Sequence, residues 1–308
     1  MNAHLPERIK LGGSDLSVSP LGIGTNSWGI GRQADSGVSS MIDAALDLGI
    51  NWFDTAEVYG LGGSERTLGL FLPGLGEKVV VTTKFFPMPW RLGKTDLIRA
   101  LQASLERLKI NRVDLYLIHF PVPPVSIESW MEAMAEAKNA SLLRAVGVSN
   151  FNAEQTRRAH AALAKFDIPL ACNQVEYNLL KRGAERNGLL EVCRELDVAL
   201  VAYHPIASGL LTGKYSPGFK RAGPRSRYFS PSYLQRIAPL LGQLQEIGRV
   251  RGRSPSQVAL NWIICKGALP IPGAKNARHA VENAGALGWR LGEGEISALD
   301  QASDKLNR

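Results

Sequence analysis

The sequence predicts an α/β fold, a closed (β/α)8 TIM barrel preceded by an N-terminal β-hairpin. Short apolar strand candidates alternate with amphipathic helices, and eight such strands can be counted from Leu21. A chain of 308 residues with 45% hydrophobic residues is also long enough for one barrel. An open doubly wound sheet usually has fewer strands. We expect residues 1–308 to form a single domain, because no low-complexity linker divides them.

The first half of the chain supplies the predicted hairpin and four of the strands. Residues 9–24 hold short apolar runs interrupted by glycines and Pro20, which is typical of a hairpin followed by a buried strand. From Ser36 the apolar residues follow a helical period. The elements predicted next are strand Ile50–Phe53, a helix near Glu65–Phe71, strand Val79–Thr83, helix Thr95–Leu108 with Thr95 as its N-cap, and strand Asp114–Ile118.

The second half continues the alternation. Its predicted elements are helix Ile127–Lys138, strand Arg144–Val148, helix Ala153–Ala164, strand Leu170–Val175, helix Asn187–Leu196, strand Ala199–Tyr203, helices Gln243–Arg251 and Ser256–Cys265, and a short strand at Leu269-Pro-Ile-Pro. The stretch from Tyr215 to Pro231 is rich in Gly, Pro, Ser and Arg, and we expect a loop there.

Composition narrows the class of protein. The net charge of +8 comes from basic residues scattered among acids, so a nucleic-acid surface is not expected and a small anionic ligand fits at least as well. The three cysteines lack metal-ligand or redox spacing, and no metal site is expected. No apolar run is long enough to cross a bilayer, and the first residues do not resemble a secretory signal. We expect a soluble cytoplasmic protein that does not bind membranes.

Polar side chains follow most of the predicted strands. In a parallel barrel, the loops after the strands converge on one face, so these residues are expected to lie together. Each alone has a structural explanation, such as a cap or a core histidine, but the coincidence favours a reactive site. They are Asp54 and Tyr59 after the second strand, Lys84 after the third, His119 after the fourth, Ser149 and Asn150 after the fifth, Asn173 and Gln174 at the sixth, and Tyr203 at the seventh.

Four of these groups suit proton transfer to a carbonyl oxygen. A free tyrosine has a pKa of about 10, and an adjacent ammonium favours the phenolate, so Lys84 is expected to lower the pKa of Tyr59. Asp54 would keep the lysine charged and oriented. His119 would donate a hydrogen bond to the carbonyl and orient it.

Asp54, Tyr59, Lys84 and His119 resemble the catalytic tetrad of the aldo-keto reductases. The likeness extends from Arg8-Ile-Lys-Leu-Gly to Glu282-Asn283, through Asn51-Trp-Phe-Asp-Thr-Ala, Gly147-Val-Ser-Asn-Phe, Asn173-Gln-Val-Glu-Tyr-Asn, Gly209-Leu-Leu-Thr-Gly-Lys-Tyr and Ile271-Pro-Gly-Ala-Lys. It therefore covers nearly the whole chain. The resemblance implies an NADP-dependent carbonyl reductase in which a nicotinamide hydride reduces an aldehyde or ketone and the tyrosine protonates the product oxygen.

The resemblance also implies which residues bind NADP(H). Ser149, Asn150 and Gln174 would bind the nicotinamide carboxamide, and Tyr203 would stack on the ring. The loop of Leu210, Gly213 and Lys214 would cover the pyrophosphate. The cations Lys275 and Arg278 favour NADP(H) over NAD(H). The remaining adenosine contacts would be Gly273, Glu282 and Asn283.

Two departures from the family pattern leave questions open. His204 stands where many relatives carry serine, so a serine contact to the cofactor phosphate is in doubt. The sequence ends soon after Ser297-Ala-Leu-Asp, so we do not expect the long C-terminal loop that shapes the substrate pocket of the aldose reductase branch. Its expected pocket walls are Trp28, Phe85, Trp90 and Phe120, which are apolar residues on nearby loops.

Two other functions remain open at this stage. One is an NADP(H)-binding regulatory subunit with slow or vestigial turnover, as in channel-associated β subunits of the same fold. The other is a barrel lyase with Lys84 as a Schiff-base nucleophile. The physiological substrate, its stereochemistry and the oligomeric state are not predicted.

Overall fold

A computed structural model describes residues 6–29, 37–215, 219 and 229–307. Its main sheet contains eight parallel strands in sequential order. The last strand meets the first, because Gly22 N donates to Pro270 O at 3.0 Å and Gly24 N donates to Pro272 O at 2.9 Å. These bonds close the sheet and, with the helices between the strands, confirm the predicted (β/α)8 barrel.

The strands form a small hairpin and the barrel. The hairpin pairs β1 (Ile9–Lys10) with β2 (Ser17–Val18) in antiparallel fashion, as predicted. The barrel strands are β3 (Ile23–Gly24), β4 (Trp52–Asp54), β5 (Val80–Phe85), β6 (Val113–Ile118), β7 (Leu143–Ser149), β8 (Leu170–Glu176), β9 (Ala199–Tyr203) and β10 (Leu269–Pro270).

Helices cover the outside of this sheet. They are α1 (Val38–Asp47), α2 (Gly63–Gly69), α3 (Lys94–Leu108), α4 (Ile127–Asn139), α5 (Ala153–Ala164), α6 (Gly183–Arg186), α7 (Leu189–Glu195), α8 (Pro231–Arg251), α9 (Pro255–Cys265), α10 (Ala277–Ala284) and α11 (Glu293–Asp304). In the described part of the chain, 3-10 segments lie at Leu72–Gly74, Gly76–Lys78, Ala207–Thr212 and Lys305–Asn307.

Alternation along the strands produces two apolar layers. Trp52, Leu115 and Leu117 belong to the cluster inside the barrel, whereas Phe53 and Phe85 belong to the cluster between strands and helices. Hairpin residues Leu11, Leu16 and Val18 are part of the inner cluster. The hairpin therefore fills one end of the barrel. The polar side chains that follow the strands lie at the other end.

The predicted strands agree with the observed ones to within one or two residues, but several helix limits differ. Helix α3 begins at Lys94 with Gly93 as its N-cap, so the prediction of Thr95 was wrong. The helix predicted over Asn187–Leu196 is preceded by the separate turn of α6, and Gly188 in the left-handed region (φ 73°) leads into α7. Helix α8 starts twelve residues before the predicted Gln243, because Ser230 caps it and Pro231 occupies its first turn.

Some elements were not predicted, and some predictions are not tested by the structure. Helices α10 and α11 were not among the predicted elements. Ser36 and most of the Tyr215–Pro231 loop lie outside the described residues. The prediction of one domain over residues 1–308 stays a prediction.

Candidate active site

Lys84 and Asp54 form a buried ion pair inside the barrel. Lys84 Nζ lies 2.5 Å from Asp54 Oδ1 and donates to the carbonyl of Thr55 at 2.7 Å. Burial alone would lower the pKa of Lys84, but the carboxylate of Asp54 and then the Tyr59 phenol outweigh it, so this pKa lies above its ordinary value. A lysine held charged in this way is a poor nucleophile, which disfavours the Schiff-base lyase.

Tyr59 is positioned over that pair by a turn of the loop after β4. Tyr59 N donates to Ala56 O at 3.0 Å, and Ser64 N at the start of α2 donates to Tyr59 O at 3.2 Å. Lys84 Nζ lies 5.0 Å from the centroid of the Tyr59 ring. The lysine is thus next to the tyrosine, as expected.

The net effect on Tyr59 differs from the expectation. Burial raises its pKa above 10.0 and outweighs the ammonium of Lys84, which lowers the pKa, while Asp54 adds to the rise. The prediction of a lowered pKa was therefore wrong for the free protein. Tyr59 therefore carries its proton throughout the physiological range.

His119 completes the group as a neutral imidazole. Its ring centroid is 5.9 Å from that of Tyr59, in an edge-on arrangement. Burial, assisted by the charge of Lys84, lowers the pKa of His119 to about 3. Its buried Nδ1 has no hydrogen-bond partner among the described residues. A neutral imidazole has one donor and one acceptor nitrogen, so such a ring can hydrogen-bond a small polar ligand.

The polar residues of β7 to β9 form a chain of hydrogen bonds beside this group. Gln174 Nε2 donates to Asp54 Oδ2 at 2.7 Å, and Ser149 Oγ donates to Gln174 O at 2.9 Å. Asn150, in the left-handed region (φ 62°), donates to His119 O at 3.0 Å and accepts from the Tyr203 hydroxyl at 2.9 Å. The Tyr203 ring is thereby held at the strand end. Asn173 instead donates to Phe151 O and Thr156 Oγ1, on the outer side of β8.

The loop predicted to cover a pyrophosphate follows β9. Leu210 is buried, whereas Lys214 is exposed. Gly213 has φ 74°, which an L side chain adopts only with strain, and an added Cβ would meet Gln245 Nε2 at 3.1 Å. His204 also has positive φ (50°), and its Nδ1 lies 3.7 Å from Glu176 Oε1. The imidazole of His204, which stands where many relatives carry serine, therefore lies next to the carboxylate of Glu176.

Cations from two segments converge near the start of α10. The pKa of His279 is lowered first by burial and then by the positive charges of Arg278, Lys214 and Lys275. Three positive charges close to one side chain suit an anionic ligand. The charges of Lys214, on the loop after β9, and of Lys275 and Arg278 thus all act on His279.

Nearby polar groups of α10 are already engaged within the protein. Glu282 Oε1 accepts hydrogen bonds from the hydroxyls of Ser254 and Ser256, the latter at 2.6 Å. Asn283 is buried and donates to Gly273 O at 3.4 Å. The contact of Ser254 and Ser256 with Glu282 was not predicted, because the two serines belong to the start of a different helix, α9.

The four predicted pocket walls do not lie together. Phe120 stacks on His119 at 5.0 Å, and Trp90 is 72% exposed on the loop after β5. Trp28 is buried, with its indole N–H bonded to Ala274 O at 2.7 Å. Phe85 is fully buried against Trp130 of α4, so its placement as a pocket wall was wrong.

Phe86 takes the position that was expected for Phe85. Its ring lies 5.6 Å from His119 and 5.7 Å from Phe120, edge-on to both. Since Lys84 faces the barrel interior, strand alternation turns Phe85 outward. The same alternation could have identified Phe86 from the sequence.

Among the described residues, no group of three His, Cys, Asp or Glu side chains is arranged to hold a metal ion. In the same part of the chain, no helix has the length and apolarity needed to span a bilayer. At the barrel mouth lie the protonated phenol of Tyr59, the charged Lys84 and the neutral His119. The rings of Phe86 and Phe120 form an aromatic wall beside them. Together these groups can bind a carbonyl oxygen and protonate it.

The sequence and the fold match known proteins along most of the chain. A sequence profile of the Aldo/keto reductase family matches residues 20–304. A chloroplastic pyridoxal reductase from Arabidopsis thaliana is 40% identical over 317 aligned residues, covering 96% of this chain and 86% of that protein.

Two solved structures show the same likeness. The glycerol dehydrogenase from Gluconobacter oxydans has a TM-score of 0.85 at 27% identity, covering 96% of this chain and 94% of that one. An aldo/keto reductase from Klebsiella pneumoniae, in complex with NADP and acetate, has a TM-score of 0.80 at 29% identity, covering 96% and 95%.

Proposed function

Because the chain belongs to the aldo/keto reductase family, we propose that it is an NADPH-dependent oxidoreductase that reduces aldehydes or ketones to alcohols. The observation that carries the proposal is the buried Lys84–Asp54 pair beside Tyr59 and His119. The complex of the Klebsiella pneumoniae relative with NADP supports the choice of cofactor.

The residues present fit such a cofactor. The Tyr203 ring, held by Asn150, offers a flat platform for the nicotinamide, and Ser149, Asn150 and Gln174 provide hydroxyl and amide groups for its carboxamide. Leu210, Gly213 and Lys214 lie on the loop assigned to the pyrophosphate. The adenosine end is assigned to Gly273, Lys275, Arg278, Glu282 and Asn283, where the cations around His279 suit a ribose phosphate.

NADPH supplies the hydride when bound, and the chain supplies the proton. Tyr59 donates its phenolic proton to the carbonyl oxygen as negative charge develops there. Lys84 stabilises the resulting phenolate, and Asp54 keeps the lysine charged. His119, neutral because its pKa is about 3, orients the carbonyl by a hydrogen bond instead of competing as an acid.

The test is NADPH oxidation with a panel of aldehydes and ketones, in wild type and in Tyr59→Phe. Pyridoxal belongs in the panel, because one relative is a pyridoxal reductase. We expect Tyr59→Phe to lower kcat by about 10²- to 10⁴-fold, as for loss of a general acid. The matched control is Tyr116→Phe, since the buried Tyr116 hydroxyl has no hydrogen-bond partner among the described residues and its ring belongs to the outer core.

Equal turnover of wild type and Tyr59→Phe would remove Tyr59 from its role. NADPH binding without turnover of any carbonyl would instead favour the cofactor-binding regulatory subunit. The cytoplasmic location stays a prediction.

A further inference from the structure

We propose that the ion pair of Glu57 and Arg91, called the clasp below, holds Phe86 in place beside His119 and Phe120. By positioning this aromatic side of the substrate pocket, the clasp would determine the preference for aromatic over small aliphatic aldehydes. This inference rests on the proposed reductase function. Neither residue belongs to the group of Asp54, Tyr59, Lys84 and His119.

Glu57 lies between Asp54 and Tyr59, yet its side chain turns toward the loop after β5. Its carboxylate Oε1 accepts from the backbone N–H of Phe86 at 2.6 Å and from the guanidinium of Arg91. Glu57 N also points at Lys84 O, at 3.5 Å. The loop that carries Tyr59 is therefore joined to the end of β5 through both main chain and side chain.

Arg91 completes the clasp from the other end of the same loop. Its guanidinium donates to Phe86 O at 3.0 Å, and its Cζ lies 5.1 Å from the Phe85 ring centroid. Both backbone groups of Phe86 are thus held, the N–H by Glu57 and the carbonyl by Arg91. The side chains of Glu57 and Arg91 are only 8% and 26% exposed, so water screens the pair weakly.

The clasp leaves two aromatic side chains at the barrel mouth. Phe86 faces His119 and Phe120, whereas Trp90, one residue before Arg91, is 72% exposed. Turn hydrogen bonds close the loop further, from Met88 N to Phe86 O and from Arg91 N to Met88 O, both at 2.9 Å. A flat aromatic ligand bound at His119 gains contact area only if Phe86 keeps its place.

The experiment compares benzaldehyde with propanal in Arg91→Met, Arg91→Lys and wild type. In Arg91→Met we expect the ratio of the benzaldehyde KM to the propanal KM to rise about tenfold, because the loss of the guanidinium displaces Phe86. Arg91→Lys, which keeps one donor but not the planar fork, should fall between the two. A merely structural defect would change kcat and both KM values together, leaving their ratio unchanged.

Glu57→Gln provides a second variant that keeps an acceptor for Phe86 N–H but removes the charge. We expect a smaller rise in the KM ratio than in Arg91→Met. Arg249→Met is the matched control, because Arg249 forms an exposed pair with Glu246 on α8. An unchanged ratio in a folded Arg91→Met protein overturns the proposal.

A binding measurement separates this proposal from the proposed function. Benzyl alcohol is titrated into the NADPH-loaded protein, which requires no turnover. We expect its Kd to rise about tenfold in Arg91→Met, with the NADPH Kd unchanged. If the wild type reduced no aldehyde, the proposed reductase function would be wrong, but the role of the clasp in ligand binding would still stand. Equal benzyl alcohol affinity in wild type and Arg91→Met, or no binding to either, defeats the clasp.

Discussion

Gln174 Nε2 donates a hydrogen bond to Asp54 Oδ2 across the barrel interior at 2.7 Å. The other carboxylate oxygen of Asp54 holds Lys84 at 2.5 Å. Gln174 is one of the residues proposed to bind the nicotinamide, whereas Asp54 and Lys84 belong to the group proposed to donate the proton. This bond therefore couples the proposed cofactor site directly to the lysine beside Tyr59.

Replacing Gln174 by leucine should accordingly affect chemistry as well as binding. The variant removes one of the donors that fix Asp54, and the freed carboxylate orients Lys84 less well. We expect kcat at saturating NADPH to fall about tenfold, in addition to weaker NADPH binding. Steady-state kinetics with Gln301→Leu, an exposed glutamine on α11, provide the control. A wild-type kcat at saturation would show that the bond to Asp54 does not matter.

Removing the Lys84 ammonium should destabilise the fold. Lys84→Met leaves the Asp54 charge buried and unpaired, at a cost of about 3–5 kcal/mol in the free energy of unfolding. The Asp54→Asn/Lys84→Met double variant should recover part of that loss. Lys94→Met breaks an exposed pair with Glu136 and should cost much less, because water screens that pair. Urea unfolding of the variants decides, and equal losses in Lys84→Met and Lys94→Met would contradict the prediction.

Much of this site could be predicted from the sequence because it follows from parallel strands. Asp54, Lys84 and His119 end or follow neighbouring strands, and parallel pairing places those ends on one face. The eight strand segments were recognisable from their apolar runs. Helix α10 was not predicted, although its apolar residues Ala277, Ala280, Val281 and Ala284 recur at helical spacing.

What could not be predicted depends on distances and burial in three dimensions. The raised pKa of Tyr59 results from burial outweighing Lys84, and the extent of burial is set by packing. The Gln174–Asp54 bond joins β8 to β4 across the barrel interior, and the sequence does not specify which interior side chains meet. Glu57 and Arg91 lie 34 residues apart, so their pairing was equally hidden.

His119 should make the stability of the protein depend on acid pH. Its pKa falls from 6.5 to about 3 on folding, so below pH 6.5 the unfolded chain binds a proton that the folded chain does not. The free energy of unfolding is therefore not reduced by His119 above pH 6.5. It decreases as the pH falls from 6.5 towards 3, by up to about 1.4 kcal/mol per pH unit. Urea unfolding of wild type and His119→Asn over this range should show the difference. Identical slopes would mean that His119 is not held neutral.

The cations around His279 give the last prediction. NADPH differs from NADH by a ribose phosphate, so a cation that contacts this phosphate affects one cofactor only. We expect Arg278→Ala to raise the NADPH Kd about tenfold, equivalent to about 1.4 kcal/mol, and to leave the NADH Kd unchanged. Added salt should weaken NADPH binding less in the variant than in wild type. Arg290→Ala, at another exposed arginine, is the control for net charge. If Arg278→Ala weakened both cofactors equally, Arg278 would not discriminate by the phosphate, and the preference for NADP(H) would have to come from other residues.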